Sequence, residues 1–323
     1  MRAFVTGVAG FIGSNLADQL IANGWFVRGA DRFTAYYEER AKRANLEALM
    51  NHERFELVEC DLGRAPLEPL LADSDVVFHL SGQPGVRLSW ADGFETYVDL
   101  NVLVTQRLLE AVRSAQIKRV VFASSSSIYG EASTAPTTED AATRPHSPYG
   151  VTKLAAEQLC SAYAANFGVP VVSLRYFTVY GPRQRPDMAF HRLIDAVLRD
   201  EPFPVYGDGL QVRDFTFVGD VVAATELAAT QDVPPGTVFN VCGGSATTLL
   251  DAIDEVARLG EREVKVEWRP AQPGDVRATG GSNERARRML HWSPTTSVGD
   301  GLAAQFRWQH DRLVAWPREE ACP

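Results

Sequence analysis

Tyr149 and Lys153 stand four residues apart in "SPYGVTKLAAEQL", where an amphipathic stretch begins, so a helix there projects both side chains from one face. An ammonium group one turn along, with a pyridinium cation nearby, would favour phenolate and draw the tyrosine pKa toward neutrality, making it a proton acceptor. Lysine is scarce in this chain: only residues 42, 118, 153 and 265, among 32 basic residues, so each position is informative. Some twenty residues earlier a β-branched run ends in "ASSSSIYG", which sets Ser124 to Ser127 at a strand end. A hydroxyl there can share a substrate proton with the tyrosine, although a serine run also suits a solvated turn.

A second constellation opens the chain. "FVTGVAGFIGS" puts Gly7, Gly10 and Gly13 between a strand and an amphipathic helix. In a chain with 25 glycines the spacing alone is weak, and its strand-then-helix context is what gives it weight. Glycine permits the turn and the close backbone approach, and the helix N-terminus then faces a pyrophosphate. Asp31 closes the second strand, where a carboxylate accepts hydrogen bonds from an adenosine ribose and repels a 2'-phosphate. NAD is therefore favoured over NADP, with Arg32 beside it pulling the other way.

The elements that position these groups alternate. Strand-like runs at 3–6, 25–30, 54–59, 75–80, 119–124 and 170–175 are separated by helical patterns such as 11–23, 95–115 and 149–167. That alternation specifies an α/β fold of the Rossmann type, a parallel sheet wound on both faces. After residue 176 the regularity breaks. Pro/Gly-rich connections frame a helix near 188–200, a strand pair "PVYG" and "RDFTFV", and helices at 247–259 and 283–291. The expected division is a dinucleotide-binding domain over 1–176 with a return segment at about 211–243. A smaller, interrupted substrate domain over 177–210 and 244–315 would cover the cleft at the carboxyl ends of the strands.

Composition narrows the partners. A formal net charge of -9 and a pI of about 5.3 argue against nucleic acid or an anionic membrane, so an anionic ligand needs a local cation cluster. "RYFTVYGPRQRPDMA" is such a cluster, with Arg175, Arg183 and Arg185 within fifteen residues. The N-terminus lacks a signal peptide's apolar core, and Cys60, Cys160, Cys242 and Cys322 have neither metal spacing nor disulfide density, which points to a cytoplasmic protein without a metal.

Taken together, "TGVAGFIG", the serine strand end and "YGVTK" resemble the extended short-chain dehydrogenase/reductases, in the nucleotide-sugar epimerase and dehydratase branch. The similarity covers nearly the whole chain, including "FHLSGQPGVR" (78–87), "YVDLNVLVTQRLLEA" (97–111) and "GDGLQVRDFTFVGDVV" (207–222). The resemblance implies NAD held throughout the cycle, with Phe11, Ile12, Asp61, Leu62, Leu80, Ser81, Gln83 and Asn101 joining the glycines, Asp31, Tyr149 and Lys153 around it. It assigns proton sharing to Ser125, the residue four before the Tyr129-Gly130 pair. It also implies a nucleoside diphosphate gripped by Arg87 and Arg213, with Asp275 at its ribose, and a homodimer through helices 95–115 and 149–167.

Members of this branch share oxidation at C4 of the sugar and diverge afterwards. Dehydratases resemble a Thr-Asp-Glu pattern at the serine run, and decarboxylases keep an acid just before the aliphatic-Tyr-Gly triplet. This chain has Ser126 and Ser127 there, which leaves 4-epimerisation. UDP-glucose 4-epimerases typically carry asparagine after the "RYF" strand, whereas Thr178 and "FTVYGP..RPDMA" are similar to the UDP-glucuronic acid 4-epimerases. Conversion of UDP-glucuronic acid to UDP-galacturonic acid is thus the expected reaction, with Ser126, Ser127, Thr178 and Arg185 as hydroxyl and guanidinium donors to the uronate carboxylate. UDP-glucose/UDP-galactose epimerisation is the alternative, followed by UDP-glucuronate decarboxylation. A regulator that kept the fold and lost the chemistry fits poorly with an intact serine, tyrosine and lysine set. His79 and His191 read as packing or capping residues, and Arg183 as solvated.

Overall fold

The computed structural model describes residues 1–131, 136–271 and 277–315. In chain order the first half runs β1 Arg2–Thr6, α1 Phe11–Ala22, β2 Phe26–Asp31, α2 Glu39–Asn45, β3 Phe55–Glu59, α3 Glu68–Leu71 and β4 Val76–His79. Then α4, Phe94–Tyr97, passes through a π-helical turn, Val98–Leu103, into α5, Val104–Ser114, followed by β5 Arg119–Ser125, α6 Pro148–Phe167 and β6 Val171–Tyr176. The second half supplies β7 Thr178–Tyr180, α7 Ala189–Arg199, β8 Phe203–Tyr206, β9 Val212–Phe217, α8 Val218–Thr230 and β10 Val238–Val241. It ends with β11 Ala246–Thr248, α9 Leu249–Gly260, β12 Val266–Arg269, α10 Glu284–Leu290 and α11 Val298–Ala315.

The six runs read as strands form six of the seven strands of one parallel sheet, ordered β10-β6-β5-β4-β1-β2-β3. Its central members, "VVFH" of β4 and "VVSLRY" of β6, are buried along their whole length, because helices cover both faces and no face is left for polar alternation. One face packs Val5, Val121 and Val172 with Leu16 and Leu20 of α1 and Val221 of α8. The other packs Phe4, Val77 and Phe122 with Leu108 of α5 and Ala156 of α6. Strand order reverses between β1 and β4, and open α/β sheets bind ligands at the carboxyl side of that point.

The smaller region has its own core, in which Phe190, Leu193 and Val197 of α7 meet Val205, Phe215, Val256 and Leu302. One expectation fails here. "PVYG" and "RDFTF" do not pair with each other: β8 pairs in parallel with β12, while β9 lies between β7 and β11. The reason is burial, since pairing β8 with a strand 63 residues on lets Phe203 and Val205 enter the core beneath α7 and α9.

The helix that carries the Tyr-Lys pair is fixed at both ends by local chemistry. Ser147 is its N-cap, its hydroxyl accepting from the Gly150 amide at 3.1 Å, Pro148 occupies the first turn, and Gly168 ends it at φ 67°. Its middle is anchored by a buried ion pair. Arg175 of β6 donates to Glu157 of α6 through Nε (3.0 Å to Oε2) and Nη2 (2.6 Å to Oε1), with the side chains only 6% and 1% exposed. Ser124 Oγ donates to Glu157 Oε2 at 2.6 Å, and Arg175 Nη1 donates to the Tyr129 hydroxyl at 2.6 Å, which donates in turn to Asn240 Oδ1 at 2.7 Å. Removing one member leaves a charge in the core without its partner. Arg175→Leu is expected to cost about 3–5 kcal/mol of unfolding free energy in urea titrations, and Arg175→Leu/Glu157→Leu to recover most of it. A single-variant loss no larger than that of an exposed pair, about 1 kcal/mol or less, would show that the network does not hold the fold.

Candidate active site

At the switch point a groove runs from the glycine turn to the Tyr-Lys pair, lined along the way by Asp31, Asp61, Leu62, Leu80, Ser81, Gln83, Asn101 and Arg185. The glycines are required sterically. A Cβ on Gly13 would sit 2.2 Å from the Gly7 carbonyl oxygen, and one on Gly7, at φ +70°, would meet the Ser81 backbone at 2.9 Å. Gly10 caps α1 without any side-chain hydrogen bond, and the first turn, Phe11 to Gly13, lines the groove with no carboxylate or hydroxyl of the described residues upon its amides. These residues fit a dinucleotide pyrophosphate.

At the second strand's end, Asp31 accepts from the Ala9 amide (3.1 Å) and the Phe33 amide (2.8 Å), which orients its carboxylate beside the groove. Arg32, the residue that could have favoured a 2'-phosphate, is instead turned to Asp61 at 3.0 Å. Burial raises the Asp61 pKa, but the Gly63 amide and Arg32 more than offset it and hold the carboxyl below its ordinary value. The local charges therefore suit a ribose diol better than a phosphate.

Behind the groove lies a relay of hydroxyls and one histidine. Thr6 Oγ accepts from the Leu80 and Ser81 amides, both at 3.1 Å, and meets His79 Nδ1 at 2.9 Å. His79 Nε2 meets Thr105 Oγ at 3.0 Å, and that hydroxyl donates to the Asn101 carbonyl at 2.7 Å. Burial pushes His79 down to about 3, so it is a neutral packing residue at physiological pH, with Nε2 carrying its proton toward Thr105. Asn101 lies in the π-helical turn and is spent on structure: its amide donates to the Gln83 carbonyl (3.1 Å) and Thr152 Oγ (3.0 Å), and its oxygen accepts from the Gln83 amide (2.7 Å). It positions the Gln83 loop against α6 rather than offering free donors to a ligand.

Tyr149 and Lys153 both line the groove. Ser125, at the end of β5, caps the following turn by accepting from the Ser127 amide at 3.1 Å and hydrogen-bonds the Tyr149 hydroxyl. Ser124, in contrast, faces Glu157. The expected fall of the tyrosine pKa toward neutrality is not a property of these side chains by themselves. Burial raises it, opposed by the Ser125 hydrogen bond and the Arg185 charge. The same burial lowers Lys153 to about 8, countered by Cys160 and Glu157, with its ammonium 4.6 Å from the centre of the Phe122 ring. Desolvation outweighs the i, i+4 spacing, and the cationic help for a phenolate comes first from Arg185.

The three arginines of "RYFTVYGPRQRPDMA" separate. Arg175 belongs to the buried network. Arg183 is not solvated: it pairs with Asp18 of α1 at 2.7 Å. Arg185 alone of the three enters the groove, its Nε and Nη2 each 3.0 Å from the Asp187 carboxylate. Ser126 and Ser127, half-buried past the end of β5, and Thr178, half-buried at the start of β7, lie on adjoining chain ends, since Ser125 is in register with Tyr176. Arg87 stands apart from the groove, 4.8 Å over the ring of Tyr206, and Arg213 Nη1 donates to the Val212 carbonyl at 2.9 Å. Asp275 lies outside the described residues. His191 Nδ1 bonds the Gln184 carbonyl at 2.7 Å, a capping contact.

Several groove residues escaped sequence reasoning. Thr34, Tyr36, Tyr37 and Lys42 come from the segment after β2. Lys42 is buried, donating to the Thr34 carbonyl at 2.6 Å beneath the Tyr37 ring, and its rarity was the available signal. Among the described residues no cluster of histidine, cysteine or carboxylate side chains could hold a metal, and no helix is long and apolar enough to cross a membrane.

Comparison with known proteins agrees with this geometry. Residues 3–242 match the NAD dependent epimerase/dehydratase family. Among curated proteins the chain is 40% identical over 309 residues to YtcB of Bacillus subtilis (strain 168), described as an uncharacterized UDP-glucose epimerase, covering 95% of this chain and 98% of that one. Among solved structures it is similar to UDP-glucuronic acid 4-epimerase from Bacillus cereus in complex with UDP-glucuronic acid and NAD (41% identity, TM-score 0.94, 97% and 100% of the two chains). MoeE5 in complex with UDP-glucuronic acid and NAD matches at 42% identity and a TM-score of 0.89, again over 97% and 100%. A glycine cradle that opens α1, Asp31 beside the groove and a Tyr149–Lys153 pair lining it thus stand on a fold shared along nearly its whole length, and the chain belongs to the NAD-dependent epimerase/dehydratase family.

Proposed function

We propose that this protein interconverts UDP-glucuronic acid and UDP-galacturonic acid by epimerisation at C4, without loss of the carboxylate. The observation that carries the substrate assignment is Arg185, a guanidinium that shares the groove with Tyr149 and lies close enough to lower its pKa. A uronate brings a carboxylate to that end of the sugar, and a guanidinium fork is the side chain that matches it.

When bound, NAD supplies a reversible acceptor for the C4 hydride. Tyr149 takes the proton of the 4-hydroxyl as C4 is oxidised to a ketone, with Ser125 sharing that proton across its hydrogen bond. Lys153 and Arg185 favour the charged tyrosine. Ser126, Ser127, Thr178 and Arg185 hold the carboxylate while the keto sugar turns over. The hydride then returns to the opposite face of C4, and Tyr149 gives the proton back to the new alkoxide. With serines before the Ile128-Tyr129-Gly130 triplet, the strand end offers no carboxyl group to assist elimination or decarboxylation. Residues 1–176, with α8 and β10 returning to the sheet, form the NAD-binding part in this reading. The remainder, with Arg87, Arg213 and Asp275, covers the UDP moiety.

The UDP-glucose reading is supported by the description of YtcB and by MoeE5, which also has a structure in complex with UDP-glucose and NAD (TM-score 0.88). Arg185 and Thr178 argue for the uronate. A cytoplasmic homodimer completes the proposal: Leu103 beside α5 and Val151 and Phe167 on α6 are large apolar groups left about half exposed on the two helices expected to form its interface.

Product analysis by NMR tests the assignment. Purified protein incubated with UDP-glucuronic acid is expected to give UDP-galacturonic acid, and UDP-xylose or unchanged substrate would contradict it. The protein is expected to purify with NAD, and equal activity after reconstitution with NADP would contradict the role given to Asp31. Tyr149→Phe is expected to lower kcat by about 10²–10⁴-fold or more with little effect on nucleotide-sugar binding. A variant that kept a tenth of the wild-type rate would remove Tyr149 from the mechanism. Oxidation at C4 makes a β-keto acid, which loses CO2 when the C5–carboxylate bond aligns with the carbonyl π system. With charge-assisted bonds of about 1.5–3 kcal/mol holding it away, Thr178→Ala is expected to raise CO2 release per epimerisation by about one to two orders of magnitude. Slower epimerisation with no extra CO2 would make Thr178 a binding residue only.

A further inference from the structure

Arg185 is already holding a carboxylate. Asp187 takes its Nε–Nη2 edge with both oxygens at 3.0 Å, and the Tyr36 hydroxyl donates to Asp187 Oδ2 at 3.2 Å. The guanidinium carbon lies 5.8 Å from the Tyr36 ring centre, so the three side chains form one unit across the groove mouth. Tyr36 comes from the segment after β2 and Asp187 from the segment before α7, which makes this unit a bridge between the large sheet and the smaller region.

We propose that Asp187 is a specificity-determining placeholder: an internal carboxylate, held by Tyr36, that occupies Arg185 until the carboxylate of an anionic sugar shares or displaces it. A guanidinium offers a two-point grip along an edge, and Asp187 already uses two of the three nitrogens, so an incoming carboxylate can grip two points only by sharing Nη2 or taking the Nε–Nη2 edge. Displacement is feasible because the Asp187 side chain is 40% exposed and can be rehydrated as it leaves, whereas Arg185 is 19% exposed and remains. Without a ligand, Asp187 spares Arg185 from lying near the proton acceptor as an unpaired buried cation, which would be costly. Its consequence for binding is a tax on carboxylate-bearing ligands alone. Apparent affinity falls by the fraction of molecules in which Arg185 is free, and ligands that never call on Arg185 escape it.

This inference rests on the assignment of Arg185 to the uronate carboxylate, and its test separates the two. Dissociation constants for UDP-glucuronic acid and UDP-glucose are measured by calorimetry on NAD-loaded protein carrying Tyr149→Phe, which prevents turnover. Adding Asp187→Asn, or Asp187→Ala should the first variant fold poorly, is expected to tighten UDP-glucuronic acid by about three- to tenfold and to move UDP-glucose by less than about twofold. Tyr36→Phe, which keeps the ion pair and removes only its hydrogen bond, is expected to shift the uronate in the same direction by a smaller factor. Arg185→Ala is expected to weaken the uronate and abolish its response to Asp187→Asn. If Arg185→Ala weakens the uronate while Asp187→Asn leaves its affinity unchanged, or weakens both sugars equally, the placeholder role is overturned and the carboxylate assignment survives. If Arg185→Ala leaves uronate affinity untouched, both are overturned.

Discussion

The Glu157–Arg175 ion pair is the constraint on which the site depends. It lies where three elements must be held in one arrangement: β5, whose end carries Ser125, β6, which leads into Thr178, and α6, which carries Tyr149 and Lys153. Glu157 is one turn beyond Lys153 and also accepts from Ser124, the residue before Ser125. A single carboxylate thus spaces the serine strand end from the lysine helix. Because both charges are withdrawn from water, the geometry is sharply defined: each has partners here and neither has an alternative.

From that anchor follows a division of labour among cations in an acidic chain. Bringing guanidinium groups together on a protein of net charge -9 is electrostatically easy, but leaving them unpaired in a cleft is not. Arg175 is spent on the core and Arg183 on Asp18. Arg185 is exposed to ligand only through an ion pair with a half-exposed partner. Sequence proximity made the three look like one anion site, and the fold uses one of them in the groove.

How much could be read beforehand follows the range of the interactions. Local signals were legible: the Ser147 cap, Pro148 and Gly168 bound α6, and the apolar run Val76-Val77-Phe78 of β4 marks the centre of a parallel sheet. The glycine turn declared its purpose because Gly13 against Gly7 is a contact between near neighbours. Pairings set by burial at a distance were not legible. Choosing β12 over β9 as the partner of β8 depends on a core that forms only once α7 and α9 are packed. Glu157 could have been found as the next i+4 position after Lys153, but its partner on β6 appears only through the sheet register. Likewise Asp187, two residues from Arg185, is plain in the sequence, while Tyr36 reaches it from 151 positions away. The burial that opposes ionisation of Tyr149 was not legible for the same reason, since spacing reveals a neighbouring charge and not how far the pair is withdrawn from water.

In the proposed mechanism one carbon gives up a hydride and receives the same hydride back, with Tyr149 handling only the hydroxyl proton. In that mechanism the C4 hydrogen never meets water and no base acts at C5. The direct measurement is epimerisation in heavy water, followed by NMR of the recovered UDP-sugars. UDP-galacturonic acid essentially unlabelled at both C4 and C5 is the expected result. Deuterium at C4 would contradict it by showing that the hydrogen exchanges with solvent during the cycle, and deuterium at C5 would contradict it by showing inversion through an enol formed by a base other than Tyr149.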